Sequence, residues 1–261
     1  MRRTGAAATV AALALTGITG CGPSAGEAPA GGTVTRGPAA SAGAAASASP
    51  AVRQDPREAL TMAGRKLGEQ SVRVTLEAGK AMSASGVLDP AARKADMRME
   101  IEKMTFHVIG IGGDVYFKGS GELAEVLGDG WQRVQRSKLP PGSSLDLMPD
   151  GDPAGANNLM KGVVEVHSVG PGRFAGTLDA TKSPSADKKA LAAFGDKAKN
   201  VPFTADVDAQ GRLVHLVLDM STLSPLMPKM VTRYTDFGAP VTVTKPAKFT
   251  DLPPDMVRLL K

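Results

Sequence analysis

The sequence predicts an α+β domain in which short helices pack on the apolar face of a long antiparallel β meander. Three observations support this fold class: several segments alternate apolar and polar residues with a period of two, Gly, Pro and Asp separate those segments, and an amphipathic helix precedes the first of them. Hydrophobic residues make up 42% of the chain, whereas aromatic residues make up only 4% and 12 residues are Met. The chain is therefore globular in composition, with an apolar surface that is mostly aliphatic and flexible.

The N-terminal residues have the organisation of a bacterial lipoprotein signal peptide. A positively charged start is followed by an apolar run over residues 6–18, which is shorter than the roughly 20 residues that a membrane-spanning helix needs. The run ends in Ile18-Thr19-Gly20-Cys21, which matches a lipobox. Cys21 is the single cysteine of the chain, so an internal disulfide and a cysteine-based metal cluster are excluded. We expect residues 1–20 to be a signal peptide and Cys21 to become the diacylglyceryl cysteine that anchors the protein to the extracytoplasmic side of the cell membrane.

Residues 21–53 are predicted to be a tether that begins with the lipidated cysteine. After Cys21 this segment is almost entirely Ala, Gly, Ser and Pro and has no apolar period, so it cannot bury enough apolar surface to offset the entropy cost of ordering. A flexible chain of this length has a root-mean-square span of about 30 Å. The remaining residues, 54–261, are predicted to form one domain. The whole chain has a net charge of +5, and this modest excess gives no reason to expect a nucleic-acid partner.

The first predicted element of the domain is an amphipathic helix that begins after Asp55. Asp55 is the expected N-cap, Pro56 occupies the first helical position, and Glu58 is placed to complete a capping box. The apolar face consists of Leu60, Ala63 and Leu67. The helix is expected to end within residues 68–70 and to direct its leucines at the sheet.

Strict alternation then defines the two faces of the early strands. In residues 71–78, 95–102 and 104–108, apolar side chains fall at every second position, which is typical of half-buried antiparallel strands. Further strands are predicted at residues 82–88, 113–118, 131–135, 163–169, 172–180, 203–208, 212–219, 229–237 and 241–244, and short helices at 121–127, 153–161 and 186–194. A turn at Asp208-Ala209-Gln210-Gly211 is expected to join two of these strands, because Gly211 can take a positive φ.

Most of residues 54–261 resemble a known family, and the specific segments lie in the C-terminal part. Three segments carry the resemblance: 207–213 (VDAQGRL), 234–241 (YTDFGAPV) and Lys245-Pro246-Ala247. They are similar to the C-terminal signature of the LppX/LprAFG family of actinobacterial lipoproteins, whose layout of lipobox, tether and leading helix this chain shares. The resemblance implies a LolA-like antiparallel half-barrel with helices on its concave apolar face, an enclosed cavity for acyl chains, and a role in carrying or presenting lipids in the cell envelope.

The resulting hypothesis is a noncatalytic lipoprotein that binds the acyl chains of a membrane lipid or lipoglycan and needs no cofactor. The predicted lining residues are Leu60, Leu67, Val72, Val74, Leu76, Met97, Met99, Ile101 and Phe106. Two interpretations of the Met-rich strands stay open, since flexible Met side chains can adapt to a ligand or can pack a closed core. An alternative function is a sensor or scaffold that binds another envelope protein through the same fold. A partner such as an envelope transporter is compatible with either function.

The sequence lacks the patterns of common enzymes. None of its three His residues has a partner at metal-ligand spacing, so each is expected to be a surface residue of a strand. The S-x-x-K match at Ser185-Ala186-Asp187-Lys188 is not followed by S-D-N or K-T-G, and the glycines of 110–113 precede a strand instead of a helix. We therefore predict that the protein is not an enzyme and binds no metal.

Basic residues concentrate around one predicted helix. They are Lys182, Lys188, Lys189, Lys197 and Lys199. Two interpretations stay open: a solvated helix face, or a surface that meets anionic lipid headgroups.

Overall fold

A twelve-stranded sheet that does not close on itself forms the body of the protein. The computed structural model describes residues 55–183 and 188–257, which lie within a unit spanning Pro50–Lys261. The predicted signal peptide, Cys21 and the tether lie outside the described residues. The α+β class and the antiparallel sheet are confirmed.

The helices and strands follow the predicted order closely. The helices are α1 Pro56–Lys66, α2 Glu122–Leu127, α3 Ala156–Lys161, α4 Lys188–Ala192 and α5 Pro254–Val257. The strands are β1 Val72–Ala78, β2 Met82–Asp89, β3 Lys94–Ile101, β4 Met104–Ile111, β5 Asp114–Gly119, β6 Gln132–Gln135, β7 Val163–Gly170, β8 Arg173–Leu178, β9 Val201–Val207, β10 Leu213–Leu218, β11 Met230–Thr235 and β12 Thr250–Asp251. Short 3-10 turns, among them Ala180–Lys182, Gly195–Lys199 and Met220–Thr222, complete the connections.

The sheet consists of two meanders that meet at one strand pair. Strands β1–β6 form the first meander and β7–β11 the second, and β1 pairs with β11 in antiparallel fashion, with Val74 opposite Tyr234. The short strand β12 adds in parallel to β6. The predicted single meander is therefore correct within each half, and the β1–β11 pair makes the two halves one continuous sheet.

Helix α1 begins at the predicted N-cap Asp55, but no described hydrogen bond of the Glu58 side chain completes the predicted capping box, and the helix ends at Lys66, before the predicted end near residues 68–70. The Asp55 carboxylate accepts hydrogen bonds from the backbone N–H groups of Arg57 (2.7 Å) and Glu58 (3.3 Å), which satisfies two donors at the helix start. The Arg57 side chain donates to the Val163 carbonyl (2.8 Å), and at the other end Lys66 donates to the Gln210 carbonyl. The helix thus runs from the start of β7 to the β9–β10 turn and lies over the second meander.

Two apolar clusters cover the inner face, which is the face of the sheet that carries α1. The first cluster contains Leu60 and Leu67 of α1 together with inward residues of both meanders. The second packs residues of β4, β5 and β6 against Leu145, Leu252 and Val257. Loop and C-terminal segments therefore complete the cover that α1 begins.

The C-terminal segment covers part of the outer face, which corrects the strand predicted at 241–244 and the polar outer face that half-buried strands imply. The strand predicted at 241–244 is wrong, because residues 240–248 form no ladder. Val243 instead packs with Ile109 and Tyr116 in a third buried cluster. Pro240 and Pro246 bound this segment and lack the N–H that a ladder needs. The outer face is consequently not polar throughout.

The predicted β9–β10 turn is confirmed. The Asp208 N–H donates to the Arg212 carbonyl (3.0 Å), and Gly211 has a φ of 73°. Burial tends to raise the pKa of Asp208, but hydrogen bonds from the Arg212 side chain and backbone and from the Gln210 N–H outweigh it, so the pKa lies below 3.8. The Asp208 carboxylate therefore stabilises the fold above the unfolded-state pKa, and this contribution is lost as the pH falls through the lower folded-state pKa.

Candidate functional site

In β1–β4, the burial of the inner face decreases along the strands toward one end of the sheet. In β1, Val72 and Val74 are 1% and 2% exposed, whereas Leu76 and Ala78 are only half-buried. The same change occurs in β3, where Met97 is buried and Ile101 is half-buried. Since alternate residues of a strand share one face, these side chains all point to the same side. The inner face of β1–β4 is therefore more open at this end, whereas at the same end of the second meander Val163, Leu178 and Val201 are buried in the first cluster.

Register aligns the half-buried residues into an apolar surface that we call the open band. Its members are Leu76, Ala78, Met82, Ile101, Met104, Phe106 and Met230. Met230 lies opposite Ala78, Ala78 opposite Met82, and Met82 opposite Ile101, so the band crosses neighbouring strands without interruption. These seven side chains lie outside the three buried clusters. The band therefore presents a continuous apolar surface that is partly accessible to solvent.

The nine predicted lining residues fall into three groups. Leu60, Leu67, Val72, Val74 and Met97 are buried in the first cluster. Met99 is half-buried and contacts both the first and the second cluster. Leu76, Ile101 and Phe106 belong to the open band. The Met-rich strands thus contribute to the packed core as well as to the open band, and adaptation of their Met side chains to a ligand stays a prediction.

The predicted lining set omitted four members of the open band, namely Ala78, Met82, Met104 and Met230. The alternation of β1 places Ala78 on the same face as Leu76. The sequence puts Met82, Met104 and Met230 in predicted strands but does not assign them to a site. The position of Met230 depends on the pairing of β11 with β1. That pairing joins segments far apart in sequence, so no local pattern indicates it.

Two connections border the open band. A Cβ atom added to Gly79 would lie 2.9 Å from Pro228 Cβ, so the turn after β1 packs closely on the connection between β10 and β11. A Cβ atom added to Gly121 would lie 3.4 Å from Met104 Cγ, which places the start of α2 at the opposite side. The band is thus bounded at both sides by backbone, and its own side chains are all uncharged.

The closed part of the inner face contains polar groups that burial perturbs. Burial of Asp152 raises its pKa despite hydrogen bonds from the backbone N–H groups of Asn157 (2.8 Å) and Asn158 (2.9 Å). Burial, with the negative charge of Asp152, also raises the pKa of Tyr234 well above its usual value of 10.0. The ionised Asp152 therefore costs stability at neutral pH, and the cost is relieved as the pH falls through its folded-state pKa.

Two clefts lie away from the open band. One, with a volume of about 300 Å³, is lined by Lys138, Pro140, Pro254 and Val257. The other, of about 480 Å³, lies between the start of α1 and the edge strand β7, where Arg57 and His167 contribute to its lining. None of the nine predicted lining residues lines either cleft, so the open band is the candidate site.

Two of the histidines have carboxylate partners that the sequence analysis missed. On the outer face, His107 Nε2 lies 2.7 Å from Asp96 Oδ1, and the His107 ring meets the Trp131 ring edge-on. His215 Nδ1 lies 3.1 Å from Asp206 Oδ2, and both histidines are half-buried. His107 and His215 thus lie in strands and are partly accessible, as expected of surface residues, but neighbouring strands supply each with an aspartate partner; of the three histidines only His167 is exposed.

Comparisons with known proteins leave the family open. No family model matches the sequence, and no curated protein matches it significantly. Membership of the LppX/LprAFG family stays a prediction. Within residues 55–183 and 188–257, no helix is long and apolar enough to cross a bilayer, and no group of three or more potential metal ligands is found in the same part of the chain.

Proposed function

We propose that this protein is a membrane-anchored extracytoplasmic lipoprotein whose LolA-like half-barrel binds the acyl chains of a lipid or lipoglycan on the open band. One observation carries the proposal: seven apolar side chains at one end of an unclosed sheet remain partly accessible and outside the buried clusters. A large contiguous apolar patch that stays accessible to solvent is typical of an interaction site.

The chemistry of the open band favours an aliphatic ligand. It has no ionisable side chain, so a charged group placed on it would lose hydration without gaining a partner. Three of its seven members are Met, whose unbranched side chains adapt to chains of different length. Each methylene that a bound chain removes from water contributes about 0.8 kcal/mol. Membrane lipids and lipoglycans both supply such chains.

The proposed function can be tested on residues 50–261, which contain all three apolar clusters and every described strand. This domain, purified under mild conditions and examined by native mass spectrometry, is expected to carry copurified lipid. Lipid extraction followed by mass spectrometry of the extract would identify it. An empty domain that captures one envelope protein would instead support the sensor or scaffold function.

The anchoring part of the proposal rests on Cys21 and has its own test. Because Cys21 is the only thiol of the chain, Cys21→Ala is expected to abolish lipidation and to release or mislocalise the protein. Metabolic labelling with palmitate, followed by fractionation of membranes, measures both effects. Label incorporated into the Cys21→Ala variant would contradict the assignment. The variant is expected to keep its melting transition, since the described core begins after residue 54.

A further inference from the structure

The end of the sheet that carries the open band also carries two long connections of the second meander. Residues 179–200 link β8 to β9, and residues 219–229 link β10 to β11. Leu218, the last residue of β10, lies opposite both Phe203 and Met230, and the Asp219 N–H donates to the Pro202 carbonyl (2.9 Å). The strand ends that both connections join therefore lie at the same end of the sheet as the open band.

The second connection holds an apolar side chain in solvent. Leu226 is 93% exposed, whereas Leu223 in the same connection is 4% exposed and packs in the first cluster. Pro225 and Pro228 flank Leu226, and Pro228 lies against Gly79. The connection is thus packed against the domain through Leu223 and Pro228, while Leu226 projects into solvent from the turn between them.

Positive side chains outnumber negative ones among the described residues of the two connections. Five lysines whose side chains are described there are exposed: Lys182, Lys189, Lys197, Lys199 and Lys229. Three of them pair with a carboxylate, since Lys182 lies 3.8 Å from Asp179, Lys199 2.9 Å from Asp196 and Lys229 3.2 Å from Asp219. Asp179 and Asp219, which cap 3-10 turns, are only 13% and 28% exposed. The described lysines therefore exceed the described carboxylates by two at the end of the fold from which Leu226 projects.

We propose that this end of the fold docks on an anionic lipid bilayer, with Leu226 inserted among the acyl chains and Lys182, Lys197, Lys199 and Lys229 on the headgroups. An exposed leucine at the same end of the fold as exposed lysines is complementary to an anionic bilayer, whose acyl chains are apolar and whose headgroups carry negative charge. Docking in this orientation brings the open band to the membrane, from which an acyl chain could pass to it. This purpose rests on the proposed function, but docking itself does not require a bound lipid.

The test uses residues 50–261, so that neither the signal segment nor the lipid anchor contributes to binding. We expect the domain to cosediment with phosphatidylcholine vesicles that contain about 30% phosphatidylglycerol, to bind pure phosphatidylcholine weakly, and to be released by about 500 mM NaCl. Leu226→Gln is expected to lower the partition coefficient about tenfold. The double variant Lys197→Gln/Lys199→Gln is expected to lower it by about tenfold or more.

Matched controls carry the same changes elsewhere. Val169, 48% exposed on the edge strand β7, and Lys138, exposed after β6 at the opposite end of the sheet, are replaced by Gln and are expected to leave binding unchanged. Leu226→Trp supplies a second measurement: its fluorescence is expected to shift to the blue on anionic vesicles and to be quenched by brominated acyl chains, above the signal of Trp131. Binding is compared only among variants whose melting temperature equals that of the wild type.

The outcomes separate docking from lipid carriage. Absence of binding to anionic vesicles at low salt, or equal binding by wild type, Leu226→Gln and the double Lys variant, would overturn the docking proposal. The docking proposal would also be overturned if Val169→Gln weakened binding as much as Leu226→Gln does. If the domain docks but never copurifies with lipid, the docking proposal stands and the proposed function is contradicted. If the domain copurifies with lipid but does not bind vesicles, the proposed function stands and the docking proposal is contradicted.

Discussion

Replacing Leu60 by alanine is expected to lower the free energy of unfolding by about 2–5 kcal/mol. Leu60 is 1% exposed and lies in the first cluster, where α1 packs on the second meander. Removal of its side chain leaves a cavity that close-packed neighbours can fill only in part. Urea or thermal denaturation followed by circular dichroism measures the loss.

Met62 provides the control on the same helix. Its side chain is 41% exposed, so Met62→Ala is expected to change the free energy of unfolding by about 0.5 kcal/mol or less. A small loss for Leu60→Ala, comparable with that of Met62→Ala, would show that α1 does not close the core at this position. In that case the helix would be the wall of an open cavity, as the family resemblance implies.

Replacing Ile101 by tryptophan is expected to give a folded protein that copurifies with severalfold less lipid than the wild type. Ile101 is half-buried, lies in the open band and borders no buried cluster, so the larger ring can extend over the band without displacing packed core. It then occupies the surface that an acyl chain needs. Lipid content is measured by native mass spectrometry, and folding by circular dichroism and a cooperative melt.

Val74→Trp is the contrasting change on the same face. Val74 is 2% exposed within the first cluster, so overpacking is expected to cost about 1–3 kcal/mol or more and to broaden or abolish the melt. Glu100→Ala supplies a matched control, because Glu100 is the exposed outward neighbour of Ile101. It is expected to leave lipid content unchanged and stability within about 0.5 kcal/mol. Full lipid content in a folded Ile101→Trp variant would rule out the open band as the binding surface.

Sequence patterns predicted only part of the candidate site. Alternation placed Leu76, Ile101 and Phe106 on the inner face, and the structure puts all three there. It could not separate them from Val72, Val74 and Met97, which share the same pattern but are buried under α1 and the loops. Alternation specifies which side of a strand a residue occupies, whereas burial depends on which distant segment covers that side.

The outer face shows the same limit. The alternation of apolar and polar residues along the strands predicted a solvated outer face. Ile109 and Tyr116 on that face are instead packed with Val243 of the C-terminal segment. The histidines His107 and His215 acquire aspartate partners only through the register of β3 with β4 and of β9 with β10. Each of these contacts is between side chains that the chain brings together from separate strands or segments.

The sequence by itself determined the features that local interactions specify: the Asp55 cap and amphipathic face of α1, the inner and outer sides of β1, β3 and β4, and the turn at Asp208–Gly211. These depend on hydrogen bonds and periodicity within a few residues. Only the tertiary structure decided the β1–β11 pair that unites the meanders, the line between closed core and open band, and the exposure of Leu226 in the β10–β11 connection. Those features come from contacts between residues far apart in the chain, whose pairing reflects the packing of the whole domain and leaves no local pattern.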